Sequence, residues 1–173
     1  MQNDRKHTKR LIILVGCPGS GKSTIASLFK GALVLSADSF RMKDGVYTYK
    51  KSENYKVFGM VDDEFRKALK RGRKLIVIDN TNVSSGLCAN YIDEAFEAGY
   101  EVTKLFIPRS FEECAERNIH KVPRKTLHYM HQAMRDHFTY AMAFSVDRRK
   151  WLSAWAKLEK KLKRVRSSDG KSK

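Results

Sequence analysis

Gly16-Cys17-Pro18-Gly19-Ser20-Gly21-Lys22-Ser23-Thr24 fits a glycine, four unrestricted positions, then Gly-Lys-Ser/Thr. The apolar run Leu11-Ile12-Ile13-Leu14-Val15 precedes it, and a helix-like stretch from Lys22 to Lys30 follows. That strand-to-helix setting separates a phosphate-binding loop from a chance glycine-rich turn. Glycines let the backbone curl with its N–H groups inward, forming an anion nest at a helix start. Lys22 is then placed to reach the β- and γ-phosphates, and the Ser23 hydroxyl to ligate Mg²⁺. Gly16, Pro18, Gly19, Ser20, Gly21, Lys22, Ser23 and Thr24 are the candidate nucleotide-binding residues, and the stretch implies a nucleoside triphosphate ligand.

Working outward, four short apolar runs read as buried parallel strands: 11–15, 32–36, 75–79 and 100–107. Helical patterns alternate with them over 22–30, 53–71, 84–98, 110–118 and 124–142. Gly72 and Gly99 stop two of these, and Ser110 stands three residues before Glu113 as in a capping box. The alternation predicts an α/β fold, a P-loop NTPase-type parallel sheet sandwiched by helices, in one domain spanning 1–173. Ligands of such sheets sit at the carboxyl ends of the strands, which puts Asp38, Asp79 and the phosphate loop along one edge. A last helix, about 147–166, carries Trp151, Trp155, Leu158, Leu162 and Val165 on one stripe opposite a basic face. The tail 167–173 is expected to be disordered.

The formal net charge of +16 is uneven: Arg148 to Lys173 holds eleven Lys/Arg against Glu159 and Asp169. Such a field favours a polyanionic partner, nucleic acid first, or else is a solvated tail that aids solubility. Cys17, Cys88 and Cys114 show no C-x-x-C pairing and read as thiols of a reducing compartment. No run approaches a membrane span, and the five apolar residues after the basic start are too few for a signal peptide. A cytoplasmic enzyme is the expectation.

Three further segments narrow the chemistry. Leu35-Ser36-Ala37-Asp38-Ser39-Phe40-Arg41 closes the second strand, where a carboxylate can accept a proton from an attacking hydroxyl and Arg41 can hold an anion. Asp38 would also serve as a helix N-cap. Ile78-Asp79-Asn80-Thr81-Asn82 closes the third strand; its acid either holds Mg²⁺ through water or pairs with Arg41. Asn80, Thr81 and Asn82 can bond phosphate or sugar oxygens, or simply make the turn. Arg117-Asn118-Ile119-His120-Lys121-Val122-Pro123-Arg124 separates two helices with clustered cations, of which Arg117 is the candidate to meet transferring charge from a short lid. A solvated helix–helix turn is the bland alternative. His128 and His131 lack a third ligand and read as surface or partner-facing residues, not metal ligands.

The ordered set G-C-P-G-S-G-K-S-T, S-A-D-S-F-R, I-D-N-T-N and R-N…V-P resembles the 5′-hydroxyl polynucleotide kinases of nucleic-acid end-repair enzymes. It is also similar to the P-loop kinase-like domains of certain eukaryotic ubiquitin-ligase-binding proteins. The resemblance spans about 11–140. It implies ATP and Mg²⁺, with Lys22 and Ser23 as the loop's functional pair and Asp38 as the base that deprotonates the 5′-hydroxyl. Arg41 then positions the acceptor, held by Asp79, and Arg117 is a lid arginine on the donor. The family's lid carries a second arginine where this chain has His120 and Lys121; Lys121 or Arg124 is the substitute to examine. With 173 residues, a phosphatase or ligase activity is expected from a separate chain. The expected reaction is ATP-dependent phosphorylation of a DNA or RNA 5′ end; a small-molecule kinase and a nucleotide-dependent adaptor are the rivals. Tyr47, Tyr49 and Phe58 are candidate stacking surfaces, or core.

Overall fold

A computed structural model describes residues 8–143. The helix expected over 147–166 and the tail 167–173 lie outside the described residues. The chain divides into two compact units, Met1–His137 and Phe138–Lys173. The described part of the second is the end of one helix, as far as Ala143.

The central strand β1 (Arg10–Val15) pairs in parallel with β5 (Leu75–Ile78) on one side and β6 (Glu101–Phe106) on the other; β2 (Leu33–Leu35) adds to β5. The sheet order is β2-β5-β1-β6. Leu11, Ile13, Leu14, Val15, Ile76, Val77 and Ile78 are all fully buried, the pattern of a sheet covered on both faces. The expected strands and the parallel helix-flanked fold are therefore present.

Helix α3 (Asn54–Lys70) buries Val57, Val61, Phe65 and Ala68, one stripe at helical spacing. Its neighbour α4 (Gly86–Glu97) sends Tyr91 edge-on against Phe65, ring centroids 5.0 Å apart, and the Tyr91 hydroxyl donates to Asp62 at 2.6 Å. Both helices end as expected, with Arg73 N–H returning to the Ala68 carbonyl and Tyr100 N–H to that of Ala95. The first helix is shorter than its sequence pattern: α1 stops at Ala26. There the Ser27 hydroxyl takes the Thr24 carbonyl, and the N–H groups of Leu28 and Phe29 tighten to three-residue bonds.

A two-stranded hairpin, β3 (Met42–Lys43) and β4 (Val46–Tyr47), follows the short α2 (Ala37–Arg41) and was not anticipated. Its two-residue turn is Asp44-Gly45, both at positive φ, the favoured Asp-Gly type I′ geometry. The remaining helices are α5 (Phe111–Glu116) and α6 (Arg124–Ala143). Between them lies the segment read as a lid.

Candidate active site

The phosphate loop is fixed at both ends. Gly16 N–H donates to the Thr81 carbonyl at 3.0 Å, tying the loop to the end of β5, and Ser20 N–H donates to Cys17. Gly19 has φ +79, and a Cβ there would collide with the Cys114 carbonyl at the end of α5, so only glycine lets loop and lid pack this closely. Lys22 folds back across the loop, its ammonium donating to the Cys17 carbonyl at 2.9 Å. Burial lowers its pKa, opposed chiefly by attraction to Asp79 and then by smaller contributions that include Asp38.

Asp79 closes β5 with its N–H bonded to the Leu35 carbonyl at 2.8 Å. Its side chain is only 7% exposed, and Oδ1 is buried without a hydrogen-bond partner. Burial raises its pKa, a bond from Ser23 and the Lys22 charge pull it back, and repulsion from Asp38 raises it further. Ser20 Oγ is likewise buried without a partner. The orphaned Asp79 oxygen and the Ser23 hydroxyl are the kind of oxygen donors that would hold a hydrated Mg²⁺ on a phosphate chain, with the buried Lys22 ammonium left for the phosphates. Asn80 Oδ1 accepts the Ala37 N–H at 2.8 Å and so pins the start of α2 to the same edge.

Of the two roles open to Asn82, the structure shows the turn-making one: its side chain is buried and its amide donates to the carbonyls of Leu14 and Asn80, bracing the strand ends. Thr81 is half-buried, and what the structure shows of it is its carbonyl accepting from Gly16.

Ser36, not Asp38, caps α2: its side chain accepts the Asp38 N–H. Asp38 is thereby released for other partners, and three converge on it. Arg41 donates to Oδ1 at 2.9 Å, the Tyr47 hydroxyl donates to Oδ1 at 3.0 Å, and His120 Nε2 lies 3.5 Å from Oδ2. The expectation that Asp79 holds Arg41 is corrected as well. The guanidinium, 10% exposed, is shared between Asp38 and Asn54 Oδ1 (2.8 Å), because α2 places Arg41 one turn from Asp38 and beside the first turn of α3. Tyr49 and Phe58 flank it, ring centroids 5.1 and 5.8 Å from the guanidinium carbon.

The lid starts from a capping box at Ser110 and Glu113, as the sequence indicated. Arg109, which the motifs did not single out, donates to Glu113 at 3.2 Å and to the Ser20 carbonyl at 3.4 Å, joining lid to phosphate loop. Arg117 ends α5 with an exposed side chain. Asn118 then makes two bonds with the Val122 backbone, which folds the turn tightly and carries His120 toward Asp38. The His120 ring lies on Tyr47 with centroids 4.5 Å apart. Of the two substitutes considered for a second lid arginine, Arg124 is stacked on Phe111 and Lys121 is exposed at φ +50. His131 is half-buried, bonds the Arg109 carbonyl at 2.9 Å and packs edge-on to Phe111.

A glycine-lined anion loop, an ammonium folded over it and a buried acid at the adjacent strand end define a P-loop nucleotide-binding phosphotransferase of the kinase type. The chain belongs to the AAA domain family, whose profile matches residues 11–144. Among curated proteins it is similar to one assigned as a bifunctional polynucleotide kinase/RNA ligase of Autographa californica nuclear polyhedrosis virus, 29% identical over 125 residues. That match covers 64% of this chain and 18% of the viral protein. A chain of the Pnkp1/Rnl/Hen1 RNA repair complex shares the fold at TM-score 0.66 and 24% identity, over 81% of this chain and 48% of that one. A gluconokinase from Sinorhizobium meliloti shares it at TM-score 0.51 and 15% identity, over 75% and 77%. This chain thus spans under half the length of the first two proteins, and the resemblance to polynucleotide kinases read from its motifs is borne out. No helix among the described residues is long and apolar enough to cross a membrane.

Proposed function

We propose that this protein transfers the γ-phosphate of ATP to the 5′-hydroxyl of a DNA or RNA end, with Mg²⁺. The observation that carries the reading is Asp38: a carboxylate in the first turn of α2, just past β2, gripped by Arg41 at 2.9 Å, with its charge acting on both Lys22 and Asp79. The viral relative's name supports a polynucleotide acceptor over a small alcohol.

The glycines of the loop, with Pro18, Ser20 and Thr24, cradle the triphosphate, and Lys22 exchanges its bond to Cys17 for one to the phosphates. Ser23 and Asp79 would hold Mg²⁺, Asp79 through water, and the metal supplies charge neutralisation on the phosphate oxygens. Asp38 takes the acceptor's hydroxyl proton at Oδ2, the oxygen that His120 now approaches and that Arg41 and Tyr47 leave open. Arg41 keeps Asp38 in place and contacts the acceptor's phosphate, with Thr81 lining the same side. Arg117 reaches from the lid to charge gathering on the transferred group. The three free buried thiols support a cytoplasmic setting.

An acceptor panel with γ-labelled ATP tests this: a 5′-hydroxyl oligonucleotide, its 5′-phosphorylated twin and a small sugar acid. Label on the first alone, weakening steeply with salt, is expected. Label on the sugar acid, with no salt response on the oligonucleotide, refutes it.

A further inference from the structure

Three aromatic side chains stand exposed where β4 leads into α3. Tyr49 is 54% exposed, Phe58 40% and Tyr55 93%. Two of them are built into the site: Tyr49 and Phe58 flank Arg41 with one side each, and the Tyr49 hydroxyl accepts from Asn54, which in turn accepts from Arg41. A continuous chain of contacts therefore runs from Asp38 through Arg41 and Asn54 to Tyr49. Beside that contact both rings keep much of their surface exposed. In the same stretch of chain Lys50, Lys51 and Lys56 are exposed, and Glu53 is the acid between them, paired to Lys50 at 3.2 Å. Aromatic faces interleaved with cations at the edge of an acceptor site bind bases and backbone together.

Resting on the polynucleotide reading above, we propose that Tyr49 and Phe58, with Tyr55 beside them, form a nucleobase-stacking platform for a single-stranded acceptor. Lys50, Lys51 and Lys56 hold the backbone that crosses it. The platform reads no sequence, since every base has a π-face, and it requires splayed bases, since a paired end keeps its bases stacked on one another. Arg41 is the joint between the two functions: it positions Asp38 and is itself positioned by the rings that carry the bases.

The test is fluorescence anisotropy of the full chain, without nucleotide, on two probes of equal length labelled at the 3′ end. One is a 5′-hydroxyl single-stranded oligonucleotide and the other is its fully abasic counterpart. The wild type binds the oligonucleotide roughly five- to a hundredfold more tightly than the abasic strand, the range of a lost stacking contact. Tyr49→Leu, which keeps an apolar cover on Arg41 without a flat ring, removes that preference, whereas Tyr49→Phe retains it. Replacing Lys50, Lys51 and Lys56 by Gln weakens both probes alike and flattens the log–log salt slope by roughly 0.7 for each lysine engaged. Equal wild-type affinity for the two probes, or an undiminished preference in Tyr49→Leu, overturns the platform. If the wild type phosphorylates no 5′ end yet prefers bases, the activity reading falls and the platform stands. If it phosphorylates ends with no preference for bases, the platform alone falls.

Discussion

Asp79→Asn is expected to stabilise the nucleotide-free protein while removing its response to ATP and Mg²⁺. The wild-type carboxylate is 7% exposed with Oδ1 unpartnered, and burial outweighs the pull of Ser23 and Lys22 on its pKa. An asparagine keeps an oxygen for the Ser23 hydroxyl and removes the charge. The amide N–H₂ that replaces the orphaned oxygen is itself left without a partner, at about 1–3 kcal/mol, but a buried unpaired charge costs more than a buried neutral amide, so removing the charge stabilises. Weakened support for the buried Lys22 ammonium offsets part of the gain. A net of about 1 kcal/mol is a rise in Tm of about 2–4 °C for a domain of this size. The pH dependence has a definite sign. Folding raises this carboxyl's pKa, so the stability it lends is full below the ordinary carboxylate value, about pH 4, and is lost as pH rises through the folded value. The two proteins should therefore melt alike in acid and diverge toward neutrality. Saturating ATP and Mg²⁺ reverse the order, since a ligand at a hundredfold its Kd adds about 2.7 kcal/mol to the protein that binds it. Calorimetry across pH, with and without nucleotide, reads all of this. A variant that melts lower than wild type at neutral pH without nucleotide, or one still stabilised fully by ATP and Mg²⁺, refutes the reasoning.

Gly19→Ala forces a Cβ against the Cys114 carbonyl at a left-handed φ; a loss of about 1–3 kcal/mol in chemical denaturation is expected, with Gly21→Ala, in open space, costing less. A double-mutant cycle between Tyr47 and His120, each changed to Leu, should give a coupling energy of about 0.5–1.5 kcal/mol, and strict additivity would mean that the lid does not rest on the hairpin. Arg109→Ala, which frees α5 from the Ser20 carbonyl, should raise the Kd for ATP measured by calorimetric titration by about tenfold, while an unchanged Kd would show that the loop holds its shape alone.

The strands of the sheet were legible because each is an apolar run buried on both faces, and α3 and α4 because their stripes end at Gly72 and Gly99. The hairpin was not, since strands of two residues are too short to alternate; the Asp44-Gly45 pair was its one local signal. Within the site, the lysine, the serine and both acids occupy the strand-end edge that their spacing placed them on. What the sequence hid is which side chains meet. Asp38 and His120 are joined only by the folding of the lid, and nothing near either residue announces the contact. Asn82 shows why two roles stayed open: in a turn, an asparagine that braces carbonyls of its own fold reads the same as one that faces a ligand. Arg41 was matched to the wrong acid because Asn54, its second partner, lies on the first turn of the next helix.

The most direct test of the central claim is single-turnover transfer from γ-labelled ATP to a 5′-hydroxyl oligonucleotide by wild type and Asp38→Asn, both saturated with ATP. The isosteric amide still accepts from Arg41 and Tyr47 but takes no proton, so the transfer rate should fall by about 10²- to 10⁴-fold while ATP affinity holds. Equal rates for the two proteins would contradict the account, because the carboxylate in the first turn of α2 would then have no part in the transfer.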